Sequence, residues 1–182
     1  MLKFLKFLFY LIVTVAIVIV GGSFLLPGEA VVTRSTEIAA PPEKVFAIVG
    51  DLQHLKDYSP WADLDPNATY TCENPTVGVG QQMSWASANR DVGAGQQTIT
   101  EYDPPKHVAS ELDLNVIKAV ATWDLEPSGT GTKATWGFKA KLDSIASRWF
   151  GLMFDTWIGA DYEKGLAKLK TAAEKPDATT NG

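Results

Sequence analysis

The sequence predicts an α+β fold in which a curved antiparallel sheet wraps around a long C-terminal helix, with one transmembrane helix at the N-terminus. Three observations support this fold class. No charged residue occurs from Phe7 to Leu26. Short segments of period-two alternation follow one another through the middle of the chain, and Arg148–Glu174 carries apolar residues at helical spacing. Because a sheet needs an apolar cover on its inner face, we expect the C-terminal helix to provide it.

Composition narrows the classes of function. The chain has 182 residues, which fits one domain with an appendage. Its one cysteine, Cys72, cannot form an intrachain disulfide, and its two histidines, His54 and His107, are far apart in sequence. This disfavours a histidine-based zinc site or a Ser-His-Asp triad, although carboxylates alone remain an option for a cation; we predict no metal and no cofactor. The net charge of −5 disfavours nucleic acid as a partner.

The apolar N-terminal stretch has the length of a membrane span. At about 1.5 Å per residue, a helix from Phe7 to Leu26 crosses a hydrocarbon core of about 30 Å. Lys3 and Lys6 precede it and Glu29 follows it, so the positive-inside rule places the N-terminus in the cytoplasm and the globular part outside. The alternative is a cleaved signal peptide, but the stretch is longer than the usual apolar region and has no A-x-A site before Glu29.

These features predict three parts of the chain. Residues 1–28 form a cytoplasmic N-terminus and an uncleaved anchor, residues 29–175 form the globular domain, and residues 176–182 form a polar, disordered tail.

The domain is expected to open with a strand and two helices. Val31–Ile38 alternates and is rich in β-branched residues, which predicts a strand. Pro42 suits the first turn of a helix that Gly50 ends. Asp51 can then cap a second short helix, Leu52–Tyr58.

Six strands are predicted next, joined by short loops that favour an antiparallel meander. They are Ala68–Glu73, Gln81–Ala86, Gly95–Tyr102, Val108–Leu114, Val116–Leu125 and Thr132–Lys141.

The C-terminal helix carries two apolar stripes that are turned from each other by well over 90°. One straight helix with one buried face does not explain both. We therefore predict two halves that meet near Gly159. Arg148–Trp157 forms the mouth or lid of a cavity, and Ile158–Ala173 is the helix gripped by the sheet.

Five short motifs occur in a fixed order along the predicted elements: Ile38–Phe46, Ser59-Pro60-Trp61, Gly78–Trp85, Gly129–Thr132 and Gly165–Lys170. With this order of elements, the chain resembles the START-like (SRPBCC), helix-grip superfamily, in its polyketide cyclase/dehydrase and lipid-transport branch. The resemblance covers about Val31–Glu174. It implies a sheet gripping the C-terminal helix with an apolar cavity between them, and it implies no common chemistry, since one fold hosts many functions.

Aromatic residues and methionines on the inner face either pack a core or line a ligand cavity. With the resemblance, they predict a cavity for a hydrophobic small molecule or lipid, and we prefer binding to catalysis and assign no catalytic residue. The predicted ligand-binding residues are Trp61, Met83, Trp85, Gln97, Trp123, Trp136, Phe138, Met153, Phe154 and Trp157.

Two alternatives remain open. Gln97 and Glu101 share a face with Ile99, so one of them can serve a cyclase/dehydrase-type enzyme as a polar handle in the cavity. The other alternative is a protein-interaction module with a vestigial cavity.

Overall fold

A computed structural model describes residues 2–115 and 117–176. The predicted strand start at Val116 and the predicted tail from residue 177 onward lie outside these residues. The described helices are α1 (Leu2–Ser23), α2 (Pro42–Val49), α3 (Leu55–Tyr58), α4 (Ile145–Gly151) and α5 (Phe154–Ala173), with 3-10 turns at Leu52–His54 and Trp61–Asp63. The described strands are β1 (Glu29–Ile38), β2 (Thr69–Asn74), β3 (Gln82–Ala86), β4 (Ala94–Asp103), β5 (His107–Asp113), β6 (Lys118–Ser128) and β7 (Gly131–Lys141).

Within the described residues, the seven strands form one antiparallel sheet in the order β1-β7-β6-β5-β4-β3-β2. From β2 to β7 the chain runs as a meander, and β1 then pairs with the last strand, from Glu29 opposite Lys141 to Ile38 opposite Thr132. The predicted α+β fold with a curved antiparallel sheet and a long C-terminal helix is confirmed.

The segment between β1 and β2 follows its local signals. Pro42 occupies the first turn of α2, and the Gly50 amide donates to the Phe46 carbonyl where the helix ends. The Asp51 carboxylate accepts a hydrogen bond of 2.9 Å from the Gln53 amide and so caps the 3-10 turn. The predicted short helix Leu52–Tyr58 therefore consists of this 3-10 turn, Leu52–His54, followed by α3, Leu55–Tyr58.

Helix α5 packs on the inner face of the sheet through the predicted aliphatic stripe. Tyr162, Leu166, Leu169 and Ala173 are all buried. These side chains recur every three or four residues, which is the spacing of one helix face. The gripped half of the C-terminal segment is therefore α5 itself.

The C-terminal segment is two helices, but the predicted junction near Gly159 is wrong. The break lies at Leu152 and Met153, and the first helix begins at Ile145, where the Ser144 and Ser147 side chains form a reciprocal cap. Gly159 is buried inside continuous helix.

Arg34 crosses α5 at Gly159. A Cβ atom at Gly159 would collide with the Arg34 guanidinium. Arg34 Nη1 donates to Asp155 Oδ1 at 2.9 Å, and Arg34 Nε donates to Glu163 Oε1 at 3.0 Å. The two acceptors lie four residues before and after the glycine, so one side chain of β1 fixes the sliding position of α5 on the sheet.

Helix α1 stands apart from the core. Its span Lys3–Ser23 has a mean hydropathy of 2.5 and none of its most apolar window is buried. It is long and apolar enough to cross a membrane, a property that a signal sequence near an N-terminus shares.

Candidate ligand-binding cavity

A cavity of about 550 Å³ lies between the inner face of the sheet and α5. Its walls come from the 3-10 turn at Trp61, from strands β2 to β7 and from α5, and they are mainly apolar. Seven of the ten predicted ligand-binding residues line it: Trp61, Trp85, Gln97, Trp123, Trp136, Phe138 and Phe154.

Three parallel aromatic rings form one wall. Trp123 and Trp136 are directly opposite each other in the pairing of β6 with β7, and their rings stack at 4.5 Å with an interplanar angle of 17°. Tyr162 of α5 stacks on the other face of Trp136 at 3.8 Å and 9°. Tyr58 meets both tryptophans edge-on. Because Trp136 is held between two stacked rings and Tyr58 packs edge-on against it, this wall is preorganised.

Helix α5 can lie close to the aromatic stack because it has a glycine, Gly165, where it faces Trp136. A Cβ atom at Gly165 would lie 2.5 Å from Trp136 Cζ3 and 3.0 Å from the Tyr58 carbonyl oxygen. Gly165 therefore permits the close approach of the helix to the indole of Trp136.

Two polar side chains of the cavity wall make no hydrogen bond with the described part of the chain. The Trp136 indole N–H is fully buried and donates to no acceptor there. The Gln97 side chain is 8% exposed, lines the cavity and has no hydrogen-bond partner among the described residues. Since a buried N–H is nearly always paired, the Trp136 indole is available to a bound molecule, and the Gln97 amide lies in the same wall.

The buried hydroxyls are neutral. Burial raises the pKa of Tyr58 well above its ordinary value, although a hydrogen bond with Trp123 opposes the shift. Burial also raises the pKa of Tyr162. The inner wall therefore offers neutral donors and an amide rather than a fixed charge, which suits a mostly apolar ligand whose polar group is a hydrogen-bond acceptor.

The open side of the cavity lies at one end of the sheet. Its exposed lining residues, Arg90, Asp91 and Ala94, come from the β3–β4 hairpin, and Asn115 comes from the β5–β6 hairpin. The first turns of α5 complete this rim. We call this side the mouth. The register places it at the end of the sheet where β1 begins and β7 ends, next to the C-terminus of α1.

Three predicted lining residues do not line the cavity. Met83 faces inward from β3 but is buried in the core cluster. Met153 and Trp157 are 44% and 49% exposed. Helix α5 turns Phe154, Ile158 and Tyr162 toward the cavity at intervals of four residues, and this leaves Met153 and Trp157 on other faces.

Glu101 lies outside the cavity as well, because the pairing of β4 with β5 shifts between Ile99 and Glu101. This bulge reverses the alternation, so Glu101 points outward and its side chain is 71% exposed beside His107. Tyr102 takes the inward position and packs edge-on against Phe46. A glutamate general acid or base at this position is therefore excluded from the cavity.

Sequence reasoning missed several residues of the wall. Tyr58, Tyr70 and Tyr162 line the cavity but are not among the predicted ligand-binding residues. The sequence pattern explains Tyr162 as part of the packing stripe of the C-terminal helix, Tyr58 as the end of a short helix and Tyr70 as part of a short strand. Only the alternation in β2 could have indicated Tyr70. In the residues that the structure describes, no group of three or more His, Cys, Asp or Glu side chains is placed to hold a metal ion.

The fold and the cavity define a helix-grip protein of the START-like (SRPBCC) superfamily, in which an antiparallel sheet and a C-terminal helix enclose an apolar pocket. The chain belongs to the family described as polyketide cyclase / dehydrase and lipid transport, whose pattern matches residues 29–174. A search of curated proteins finds no sequence match.

Solved structures share the fold at low identity. The KanY protein (ms6282), solved by NMR, is 20% identical with a TM-score of 0.63, and the match covers 82% of this chain and 100% of that one. Protein CV1439 from Chromobacterium violaceum is 15% identical with a TM-score of 0.56, covering 81% and 99%. The di-domain ARO/CYC protein BexL from the BE-7585A biosynthetic pathway is 16% identical with a TM-score of 0.60, covering 82% of this chain and 51% of that one.

Proposed function

We propose that this protein binds a hydrophobic small molecule or lipid in the cavity between sheet and α5 while α1 anchors it in a membrane. The cavity is the observation that carries the proposal. Its volume of about 550 Å³ falls in the range of about 300–1,000 Å³ usual for ligand pockets. Such a volume also weighs against a vestigial cavity in an interaction module.

The unpartnered polar groups of the cavity wall restrict the chemistry of the ligand. Gln97 and the Trp136 indole N–H favour a molecule that is mostly apolar and carries at least one hydrogen-bond acceptor. The flat Trp123–Trp136–Tyr162 wall favours an aromatic or extended unsaturated body over a compact one. A fatty acyl chain with a carbonyl and a polycyclic aromatic ketone both meet these requirements.

The proposed arrangement keeps residues 1–28 as anchor and residues 29–175 as ligand-binding domain. Lys3 and Lys6 favour a cytoplasmic N-terminus, so the domain lies on the extracytoplasmic side. A protease added to intact cells should degrade the domain, and alkaline carbonate should leave the full chain in the membrane pellet. A domain protected from protease would refute the orientation.

Binding is tested with cis-parinaric acid, whose conjugated chain accepts energy from tryptophan. The full chain is held in a lipid nanodisc, and the probe is expected to bind saturably. Ala121 lines the cavity, so Ala121→Phe should weaken binding at least about tenfold by filling it. Val120 is the neighbouring residue on the outer face, so Val120→Phe is the matched control and should bind as wild type. Equal binding by all three proteins would refute the cavity as the site.

A second candidate is a cyclase/dehydrase-type enzyme, favoured by the family and by the unpartnered Gln97 amide in the cavity. Gln97→Leu would then abolish turnover of a polyketide-like substrate, while Glu101→Gln, outside the cavity, would leave it unchanged. Turnover that survives Gln97→Leu would remove this residue from any reaction.

A further inference from the structure

The surface around the α4–α5 junction is unusually apolar for an exposed region. Six large apolar side chains within thirteen consecutive positions are 37% to 58% exposed: Ile145, Trp149, Phe150, Leu152, Met153 and Trp157. We call them the apolar patch. Elsewhere in the described part of the domain, the exposed large apolar residues are the single residues Val31, Leu64 and Val120 and the pair Val77 and Val79. A clustered patch of this kind marks an interaction surface.

The apolar patch is fixed to the end of α1 by specific contacts. Trp149 Nε1 donates to the Ile19 carbonyl at 3.1 Å. The ring of Trp149 lies over Gly22, where a Cβ atom would be 3.0 Å from Trp149 Cζ2. Arg148 Nη1 donates to the Ser23 carbonyl at 3.0 Å, and this cation complements the C-terminal end of the α1 dipole. The patch and the last turn of α1 thus form one unit.

These contacts set the depth of the patch if α1 spans a bilayer as proposed. Ile19 precedes Ser23 by about 6 Å along the helix axis, at about 1.5 Å per residue. The uncharged stretch of the sequence continues beyond Ser23 to Leu26. Trp149 therefore contacts α1 at Ile19, before the uncharged stretch ends at Leu26. This is the level of the membrane interface, where tryptophan is enriched.

Charge agrees with this placement. Arg148, the basic residue of α4, is turned to the Ser23 and Leu142 carbonyls, and α4 has no acidic residue in its first turn. The other charged residue between Ile145 and Trp157 is Asp155, whose carboxylate is paired with Arg34 at 2.9 Å. An apolar helix face in this position can be buried about 5–10 Å into the boundary between headgroups and acyl chains.

The same surface leads into the cavity. Phe154 follows the apolar patch residue Met153, lines the cavity and packs edge-on against Phe138 at 6.2 Å. The mouth lies at this end of the sheet. An apolar path therefore runs from the patch past Phe154 to the inner wall.

We propose that the apolar patch is a second membrane contact, which lies in the lipid interface beside α1 and holds the mouth of the cavity against the bilayer. The partner is the lipid bilayer itself, and the ligand exchanges directly between bilayer and cavity. This inference rests on the proposed anchoring by α1 and on the proposed ligand cavity.

The test measures depth with spin labels on the full chain in vesicles of phosphatidylcholine and phosphatidylglycerol. Cys72→Ser removes the native thiol, and single cysteines are placed by Phe150→Cys, Leu152→Cys and, as control, Val77→Cys. Val77 is 48% exposed against 55% for Leu152 but lies in the β2–β3 loop, at the other end of the sheet. Labels at positions 150 and 152 should be accessible to oxygen and shielded from a water-soluble nickel chelate, and the label at position 77 should show the reverse.

Carbonate extraction and label accessibility together distinguish the second membrane contact from the proposed anchoring on which it rests. If the chain resists carbonate extraction but the label at position 152 is as accessible to nickel as the label at position 77, the proposed second contact is wrong and the proposed anchor stands. A chain released by carbonate overturns both. A variant without spin labels, F150D/L152D, tests the exchange of ligand with the bilayer. In detergent micelles, where only the cavity is tested, it should bind cis-parinaric acid as wild type does. From vesicles, it should take up the acid at least about tenfold more slowly than wild type. Unchanged uptake would overturn the proposed exchange with the bilayer.

Discussion

Gly165→Ala places two opposing effects at one position. In the interior of a helix, alanine is favoured over glycine by about 1 kcal/mol. At Gly165, however, the added Cβ would lie 2.5 Å from Trp136 Cζ3, 3.0 Å from the Tyr58 carbonyl oxygen and 3.2 Å from Pro60 Cδ. Neither Trp136 nor the Tyr58 backbone is the free end of a flexible chain, so neither yields easily.

The contact is expected to outweigh the helix propensity. Trp136 is held between Trp123 and Tyr162, so a shift of its ring disturbs both stacking contacts. Overpacking of a core commonly costs about 1–3 kcal/mol. After subtracting the gain in propensity, we expect the free energy of unfolding to fall by about 1 kcal/mol, which corresponds to a Tm lower by about 2–4 °C for a chain of this size.

Urea unfolding of the full chain in detergent micelles, followed by tryptophan fluorescence, measures this difference. The control is Ala167→Gly, on the exposed face of the same helix, which should lose about 1 kcal/mol from propensity alone. If Gly165→Ala instead stabilises the protein by the amount that propensity predicts, the close approach of α5 to Trp136 is wrong.

Three further predictions concern single side chains. Gln97→Leu should weaken binding of cis-parinaric acid more than binding of a chain-matched hydrocarbon, since only the acid has an acceptor for the amide; equal losses would mean that Gln97 only fills space. Arg34 lowers the pKa of Asp155 through a hydrogen bond, so the carboxylate stabilises the fold above its ordinary pKa of 3.8 and loses this effect as the pH falls. Arg34→Gln should therefore flatten the acid-side loss of Tm between about pH 5 and pH 3, and an unchanged slope would contradict the pairing. Thr132→Val should lower the free energy of unfolding by about 1–3 kcal/mol, because the buried hydroxyl donates at 2.7 Å to the Ala40 carbonyl; a neutral result in urea unfolding would contradict that role.

The regular parts of the sheet were predictable from alternation. In β7, Ala134, Trp136 and Phe138 recur at every second position without interruption, so their inward direction follows from the pleat alone. The inward direction of Trp123 in β6 was predictable for the same reason. The stacking of Trp123 on Trp136 was not predictable, because it depends on the register of two strands.

The predictions that failed involve single residues. One extra residue between Ile99 and Glu101 reversed the direction of Glu101, and nothing in the local composition marks that bulge. The two apolar stripes of the C-terminal segment predicted a junction near Gly159, but the absence of a side chain at this glycine makes room for Arg34, which is far away in sequence. Long-range contacts of this kind leave no periodic signal in the chain.

The pairing of the first strand with the last has a consequence for how the protein is made. Within the described residues, β1 lies at the edge of the sheet and pairs with β7 alone. Residues 29–38 therefore leave the ribosome without a partner and wait until residues 131–141 follow. Closing so long a loop is slow, and an unpaired strand edge can meanwhile associate with other chains. If α1 anchors the chain as proposed, this interval is spent with the growing chain already attached to the membrane, because α1 is synthesised first, and late truncations that remove β7 should yield an anchored but aggregation-prone product.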